Sequence, residues 1–270
     1  RVVTLALNVP GPLAASRLAG LGATIVKIEP PSGDPLAASA PRWYADLHAG
    51  ATVRRLDLKA EADRAAGDGL LAGADLLLTS SRPAALARLD LAWGALHDRH
   101  PRLCQVAIVG HAAPHQEVPG HDLTYLAAAG VLDPAALPRT LAADILGAER
   151  AASAALALLL ARERGGAAGY VEVPLADAAE ILALPLRHGL TRPGGVLGGG
   201  FAGYRLYETA RGHVALAALE PHFWRRFQDA LGLRDPDTAT VQTAFLSKTA
   251  EEWATWGAER DLPIATVREG

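Results

Sequence analysis

The stretch VVTLALNVPGPLAASRLAGLGATIVKI, residues 2–28, sets the fold of this chain of 270 residues. Its first apolar run, residues 2–7, predicts a strand that ends ahead of a Pro-Gly-Pro turn. Residues 13–21 then predict a helix, with Gly22 at the place of a C-cap glycine. Residues 23–28 are β-branched and predict a second strand. A strand, a helix and a strand in so short a stretch predict two parallel strands with the helix across them.

The same alternation continues along the chain. Further strands are predicted at residues 53–58, 75–78, 103–109 and 170–173, and helices at residues 61–71, 84–89 and 141–164. Strands that alternate with helices favour a parallel sheet with helices on both faces. We therefore predict an α/β fold with a Rossmann-like parallel sheet.

A glycine-rich stretch separates this region from a smaller one. Residues 187–203 contain seven glycines and a proline, which predicts a flexible or irregular connector. Beyond it, a hairpin around residues 210–212 and helices at 221–231 and 248–260 predict a small α+β domain. The predicted division is a large α/β domain at 1–186, a glycine-rich linker at 187–203 and a small domain at 204–270.

Composition excludes several classes of protein. Half of the residues are hydrophobic and 20% are charged, so the chain can bury a sizeable core. The net charge of −3 provides no basic field for nucleic acid, which we exclude as a partner. Cys104 is the one cysteine, so a disulfide within the chain and a cysteine-based zinc site are excluded.

Membrane insertion is not expected either. The longest apolar run, residues 151–161, is well short of the roughly 20 residues that a membrane span needs. The apolar start of the chain, residues 1–11, is too short for a signal peptide. We expect a cytoplasmic protein with no membrane partner.

Three titratable residues next to predicted helix starts are candidates for catalysis. His121 stands in Gly-His-Asp, Asp144 in an almost wholly apolar segment, and Glu220 ahead of Pro221. Each also has a simpler interpretation, as a cap-region residue, an N-cap or a charge at the positive end of a helix. A lone carboxylate in apolar surroundings is nevertheless a candidate for a raised pKa, and an imidazole can give or take a proton.

Several motifs, in order, resemble those of a known family. They are Gly11-Pro12 followed by LAGLGATIVKIEPPSGD (18–34), LDLK (56–59), ADLLL with Ser-Arg-Pro (74–83), and a basic, glycine-containing segment that ends in YVEV (162–173). Their succession is similar to the class III CoA-transferase family, also called CaiB/BaiF. GHDLTY (120–125) and LEPHF (219–223) resemble its α-methylacyl-CoA racemase branch most closely. The resemblance implies the interlocked homodimer of that family, with the active site shared between the two chains.

The resemblance implies one of two reactions on an acyl-CoA. In the racemase branch, Asp144 and His121 would exchange protons with the α-carbon of a 2-methylacyl-CoA, supported by Glu220. In the transferase branch, Asp144 would attack the thioester and move CoA to a carboxylic acid. The three catalytic candidates match the racemase segments residue by residue, so we favour that reaction. A third alternative is a degenerate relative that binds acyl-CoA without catalysis, against which the retention of all three residues argues.

The resemblance also implies the binding site for coenzyme A. The residues that match are Leu58, Lys59, Arg82, Arg88, Gly120, Asp122 and Tyr125, and no metal is implied. The sequence departs from the family at two basic contacts. Residues 35–38 are PLAA where the family has an arginine, and residues 49–52 are AGAT where it has a basic run. Arg88 has the alternative interpretation of a solvated helix residue.

Overall fold

A computed structural model describes residues 1–268 of the chain. Its helices and strands form two compact units, Arg1–Ala183 and the chain from Leu184 onward, and each unit has its own hydrophobic core. The division into residues 1–186, 187–203 and 204–270 stays a prediction, and its last two residues lie outside the described residues. Within that described part, the helices are too short or too polar to cross a membrane.

The first unit is built on a sheet of parallel strands. They are β1 (Val2–Thr4), β2 (Ile25–Glu29), β3 (Thr52–Arg55), β4 (Leu76–Thr79), β5 (Cys104–Val109) and β6 (Tyr170–Pro174). Their order across the sheet is β3-β2-β1-β4-β5-β6, which confirms the predicted Rossmann-like sheet. The order reverses between β1 and β4, so the loops that leave these two strands diverge and open a cleft.

Helices cover both faces of this sheet, as predicted. They are α1 (Pro10–Gly20), α2 (Pro35–Ser39), α3 (Pro41–Leu47), α4 (Glu61–Ala72), α5 (Pro83–Ala87), α6 (Trp93–Arg99), α7 (Asp122–Ala129), α8 (Ala142–Glu163) and α9 (Leu175–Leu182). One core joins α1, α7, α8 and α9 to the sheet through residues such as Leu18 and Leu126. A second core on the opposite face contains Leu71, Leu86 and Leu96 of α4, α5 and α6.

Small residues let α8 pack closely against its neighbours. Ala148, Ala151 and Ala155 of this helix are completely buried in the core that also contains the alanines of α1. A Cβ atom at Gly147 would lie 2.3 Å from Cδ2 of Leu175 in α9. Because any larger side chain would push these helices apart, the alanine- and glycine-rich sequence fixes the position of α8 in the unit.

The sequence predicted the strands and the longest helices but missed several short helices. Both α2 and α3 begin at a proline, whose fixed φ suits the first helical position. The Asp34 side chain caps α2 by accepting the Leu36 N–H at 2.9 Å. Helices of five to seven residues carry too little periodicity to be recognised from sequence.

The second unit combines an antiparallel sheet with helices. Its elements are α10 (Leu184–Arg187), an irregular turn (Val196–Gly200), β7 (Tyr204–Glu208), β8 (His213–Ala217), α11 (Pro221–Leu231), α12 (Thr238–Phe245), α13 (Ala250–Ala258) and β9 (Ile264–Thr266). The buried aromatic side chains of Tyr207, Phe227, Phe245 and Trp253 form its centre. The predicted hairpin and the helix at 221–231 are confirmed, whereas α12 and β9 were not predicted.

Backbone hydrogen bonds give the glycine-rich stretch 187–203 a defined local structure. The Leu197 N–H donates to the Leu190 carbonyl oxygen at 2.9 Å. A Cβ atom at Gly198 would lie 1.7 Å from the carbonyl oxygen of Arg192. Glycine is therefore required here for close approach of the backbone, a role that the predicted flexible or irregular connector did not include.

Lys27 is a cation buried completely in the first unit. Its Nζ lies 2.5 Å from Oδ2 of Asp34, 2.8 Å from Nε2 of His48 and 3.3 Å from Oε1 of Glu29. Nδ1 of His48 lies 2.6 Å from the Tyr44 carbonyl oxygen, so this nitrogen carries the proton and Nε2 accepts from Lys27. Burial lowers the pKa of His48, which keeps its ring neutral beside the ammonium group.

Replacing Lys27 tests how much this network contributes to stability. Lys27→Met leaves two buried carboxylates without their cation, and we expect the free energy of unfolding to fall by about 3–5 kcal/mol. Urea denaturation of the purified proteins measures this change. The matched control is Lys59→Met, an exposed lysine, which should change stability by less than about 0.5 kcal/mol. Equal effects of the two substitutions would contradict the assigned role of Lys27.

Candidate active site

A cavity of about 640 Å³ opens at the carboxyl end of the parallel sheet, within the first unit. The segments that follow β1, β4 and β5 line it together with the starts of α7 and α8. Its polar lining includes Asn8, Ser80, Arg82, Gln116, His121, Asp122, Tyr125 and Asp144. The cavity lies at the point where the strand order reverses, which is where open parallel sheets bind ligands.

Asp144 lies in the first turn of α8 and borders this cavity. Burial, and to a smaller degree the negative charge of Asp122, raise the pKa of Asp144 to about 7. Both effects disfavour the charged carboxylate, burial by removing water from it and Asp122 by placing a like charge nearby. A carboxyl group with this pKa exists in both protonation states at neutral pH, so it can act as an acid or as a base.

Asp122 provides the contact that positions Asp144. Its carboxylate Oδ1 accepts the backbone N–H of Asp144 at 2.9 Å, although the two residues start different helices. Asp122 is only 4% exposed, and its second oxygen has no hydrogen-bond partner among the described residues. The structure thus gives Asp122 an internal role in the site, and its predicted contact with CoA stays a prediction.

His121 occupies the N-cap position of α7, next to Asp122 in sequence. Its backbone N–H donates to Oγ1 of Thr124 at 3.0 Å, and the Thr124 hydroxyl donates back to the His121 carbonyl at 2.8 Å. The imidazole is exposed and borders the same cavity as Asp144. The structure therefore brings two of the three predicted catalytic residues into one cavity.

Tyr125 and Gly120 also border the cavity, as their predicted contact with CoA requires. A Cβ atom at Gly120 would lie 2.4 Å from Cε1 of Tyr125, so only glycine leaves room for the ring. Burial raises the pKa of Tyr125, and the negative charge of Asp144 adds to this effect. The phenol therefore stays protonated at neutral pH.

The other residues predicted to bind CoA lie at three different places. Arg82 lines the main cavity, and it is the N-cap residue of α5. Leu58 and Lys59 line a separate depression of about 180 Å³, together with Leu5 and Leu7, which follow β1. Arg88 lines neither of these two; its Nε donates to the Ala84 carbonyl oxygen at 3.0 Å on the exposed side of α5.

Glu220 belongs to the second unit, where it is the N-cap residue of α11. Its side chain makes no capping hydrogen bond, and Pro221 takes the first helical position. The cavity of the first unit is lined by residues of that unit. The predicted support of His121 by Glu220 stays a prediction.

Several polar residues of the cavity, among them Asn8 and Gln116, were not predicted from the sequence. Asn8 adopts a left-handed backbone, with φ of 64°, directly after β1. Gln116 lies in the loop before α7, where its Nε2 donates to the carboxylate of Glu172 at 3.2 Å. Neither residue belongs to a recognisable motif, although an asparagine after a strand is a signal for a left-handed turn.

One group of side chains has the composition of a metal site. One ligand atom from each of Glu29, Asp34 and His48 lies within 4.8 Å of the others. The Lys27 ammonium is within 3.3 Å of all three, and Nε of Arg55 lies 3.9 Å from Oε2 of Glu29, so side-chain cations already pair with the two carboxylates. This donor set is therefore filled by a side chain, and the predicted absence of a metal stays a prediction.

Comparison with known proteins identifies related sequences. A probable fatty acyl-CoA transferase of Mycobacterium tuberculosis, Rv3272, is 29% identical over 94% of this chain and 77% of its own length. The alpha-methylacyl-CoA racemase of Mus musculus is 27% identical over 94% of this chain and 72% of its own length. Subunit BbsE of the succinyl-CoA:(R)-benzylsuccinate CoA-transferase of Thauera aromatica is 32% identical, with 77% of this chain matching 57% of that relative.

Solved structures are also similar to this chain. The crystal structure of Rv3272 superposes on this chain with a TM-score of 0.84 and 26% sequence identity. The match covers 100% of this chain and 84% of the other. The relatives are named as CoA-transferases and as a racemase, which confirms the prediction of an enzyme.

The family model called CoA-transferase family III matches residues 1–269. Its match spans the parallel sheet, the cavity with His121 and Asp144, and the small antiparallel sheet. The family resemblance predicted from the ordered motifs is thereby confirmed, and the chain belongs to CoA-transferase family III.

Proposed function

We propose that this protein racemises or epimerises the α-carbon of a 2-methylacyl-CoA by two-base proton transfer. Asp144 and His121 are the two groups that exchange the proton. One of them removes the α-proton, and the electron pair of the broken C–H bond moves into the thioester to form an enolate. The other then protonates the carbon from the opposite face, which inverts the configuration.

The pKa of Asp144, raised to about 7 in a cavity that it shares with His121, carries this proposal. A group that must act as a base in one direction and as an acid in the other works best near the pH of the reaction. A nucleophile, in contrast, must be ionised, and burial holds part of the Asp144 population protonated at neutral pH.

Coenzyme A is the proposed carrier of the acyl group. Its adenosine and phosphates would contact Leu58, Lys59, Arg82 and Arg88, and its pantetheine would pass along Gly120, Asp122 and Tyr125. The depression at Leu58 and Lys59 and the position of Arg82 in the main cavity support this path. No metal is needed for the proposed proton transfers.

We also propose a homodimer with a shared active site, because the third predicted catalytic residue is Glu220. Within one chain, Glu220 lies in a different compact unit from His121 and Asp144. We propose that Glu220 of the partner subunit supports the imidazole of His121. The proposed location is the cytoplasm, and the buried free thiol of Cys104 is compatible with a reducing compartment.

CoA transfer to a carboxylic acid, with Asp144 as nucleophile, is the second candidate. The transferase names of several relatives favour it. In this reaction the Asp144 carboxylate attacks the thioester and expels CoA thiolate, leaving a mixed anhydride. The thiolate attacks the Asp144 carbonyl and releases the first acid, and a second acid then takes the CoA by the reverse steps.

Deuterium uptake distinguishes the two candidates. The protein in D₂O should label the α-carbon of both enantiomers of a 2-methylacyl-CoA, as measured by mass spectrometry. Asp144→Asn should slow deuterium uptake by one enantiomer about 100-fold, and His121→Gln should slow uptake by the other to the same degree. The reason is that each residue removes the proton from one face of the α-carbon. The control Asp133→Asn, an exposed aspartate between α7 and α8, should not change the rate.

Hydroxylamine provides the opposing outcome. It converts an Asp144–CoA thioester into an Asp144 hydroxamate, which peptide mass spectrometry detects. The racemase would be overturned and the transferase supported if the wild-type protein put no deuterium into 2-methylacyl-CoA but formed this hydroxamate with an acyl-CoA.

The charge of Asp122 should set part of the pH dependence. Asp122→Asn removes the negative charge but keeps an oxygen that accepts the Asp144 N–H, so the pKa of Asp144 should fall below about 7. It should stay above the ordinary value because burial, the larger cause, is unchanged. A carbon-13 NMR titration of the Asp144 carboxyl measures the shift, with Asp133→Asn as the control. An unchanged midpoint would contradict the assigned effect of Asp122.

Mixed dimers test the shared site. His121→Ala and Glu220→Gln should each fail to racemise a 2-methylacyl-CoA when present alone, and racemisation is the activity measured here. A mixed dimer of the two variants contains one site with both residues intact if Glu220 is supplied by the partner subunit, so mixing should restore activity. If both residues act within the same chain, the mixed dimer has no intact site and stays inactive.

A further inference from the structure

Tyr125 carries a hydroxyl group that the proposed proton transfers do not use. The residue lies one helical turn after His121, and its backbone N–H donates to the His121 carbonyl oxygen at 3.1 Å. Its side chain is only 4% exposed and belongs to the core that includes α8. The residue borders the cavity, and its hydroxyl has no hydrogen-bond partner among the described residues.

Close backbone contacts hold the ring in place. A Cβ atom at Gly110 would lie 2.6 Å from the hydroxyl oxygen of Tyr125, and one at Gly120 would lie 2.4 Å from its Cε1. The ring of His111 meets the tyrosine ring edge to face, with centroids 5.3 Å apart. The hydroxyl is therefore positioned by packing alone, which leaves its proton available to a ligand.

Burial, together with the charge of Asp144, keeps Tyr125 protonated. Burial raises the pKa of Tyr125, and the negative charge of Asp144 raises it further, while the positive charge of Arg82 acts in the opposite direction. A neutral phenol on a buried ring is a strong hydrogen-bond donor to an oxygen that gains negative charge. Such a donor, held rigidly before the reaction, stabilises a transition state without reorganisation.

We propose that the Tyr125 hydroxyl donates a hydrogen bond to the thioester oxygen while that oxygen carries the enolate charge. The inference rests on the proposed function and adds Tyr125 to its catalytic residues. The α-C–H bond breaks, the proton goes to Asp144 or His121, and the electron pair moves through the C–C bond onto the oxygen. When the other residue protonates the α-carbon, the pair returns, and Tyr125 keeps its own proton throughout.

Tyr125→Phe removes only this hydroxyl. We expect deuterium uptake by 2-methylacyl-CoA to fall about 100-fold in kcat with little change in KM, since the donor acts on the enolate and not on the bound thioester. The control Tyr204→Phe, which removes a half-buried hydroxyl of the second unit, should keep the wild-type rate. Unchanged affinity of Tyr125→Phe for free CoA establishes that the variant folds and keeps its cleft.

Acetoacetyl-CoA gives a readout that is independent of turnover. This thioester enolises readily, and its enolate absorbs in the near ultraviolet. The wild-type protein should bind a larger fraction as enolate than Tyr125→Phe does at the same pH, and Tyr204→Phe should match the wild type. Equal enolate fractions and equal exchange rates in wild type and Tyr125→Phe would overturn the inference.

The two measurements also separate this inference from the proposed function. A wild-type protein that exchanges no α-proton of any 2-methylacyl-CoA would overturn the proposed racemisation. If that protein still enriches the enolate of acetoacetyl-CoA and Tyr125→Phe does not, the donor role of Tyr125 is supported without the racemase. Exchange that is fast in the wild type and in Tyr125→Phe alike would overturn the donor role and leave the racemase in place.

Discussion

The hydrogen bond from the backbone N–H of Asp144 to the carboxylate of Asp122, 2.9 Å long, holds the starts of α7 and α8 together. Leu141, the N-cap residue of α8, has no side-chain oxygen, so Asp122 caps this helix from another part of the chain. The same contact brings the negative charge of Asp122 near Asp144, which adds to the effect of burial on the pKa of Asp144. One interaction thus positions the residue at the centre of the proposed chemistry and, after burial, contributes to its protonation.

A buried network centred on Asp34 helps to position the walls of the cavity. Asp34 uses one carboxylate oxygen to bind the Lys27 ammonium and the other to accept the backbone N–H groups of Asn8 and Leu36. Asn8 and Leu36 both line the cavity. Because the carboxylate of Asp34 joins the sheet to these two segments, a buried ion pair contributes to the shape of the site and not only to stability.

Local patterns made the sheet and the long helix predictable. β-Branched runs that alternate with helices specify parallel strands without reference to distant residues, and the apolar flanks of Asp144 already indicated a raised pKa. The contact between Asp122 and Asp144 was not predictable, because it joins residues that lie 22 positions apart and depends on how α7 packs against α8. The same holds for Asn8, whose position depends on an acceptor at Asp34, and for β9, which pairs with a strand far from it in sequence.

The charge distribution of the cavity is one argument for the proposed proton transfer. Arg82 is the one arginine or lysine among its lining residues in the described part of the chain. The segment where the family places an arginine here supplies the apolar Leu36 and, further on, Trp43 to the cavity wall. A carboxylate acceptor beside Asp144 would add a negative charge that a single guanidinium must balance. An enolate is a transient charge that neutral donors such as Tyr125 can stabilise, so this lining suits the chemistry in which no second carboxylate enters.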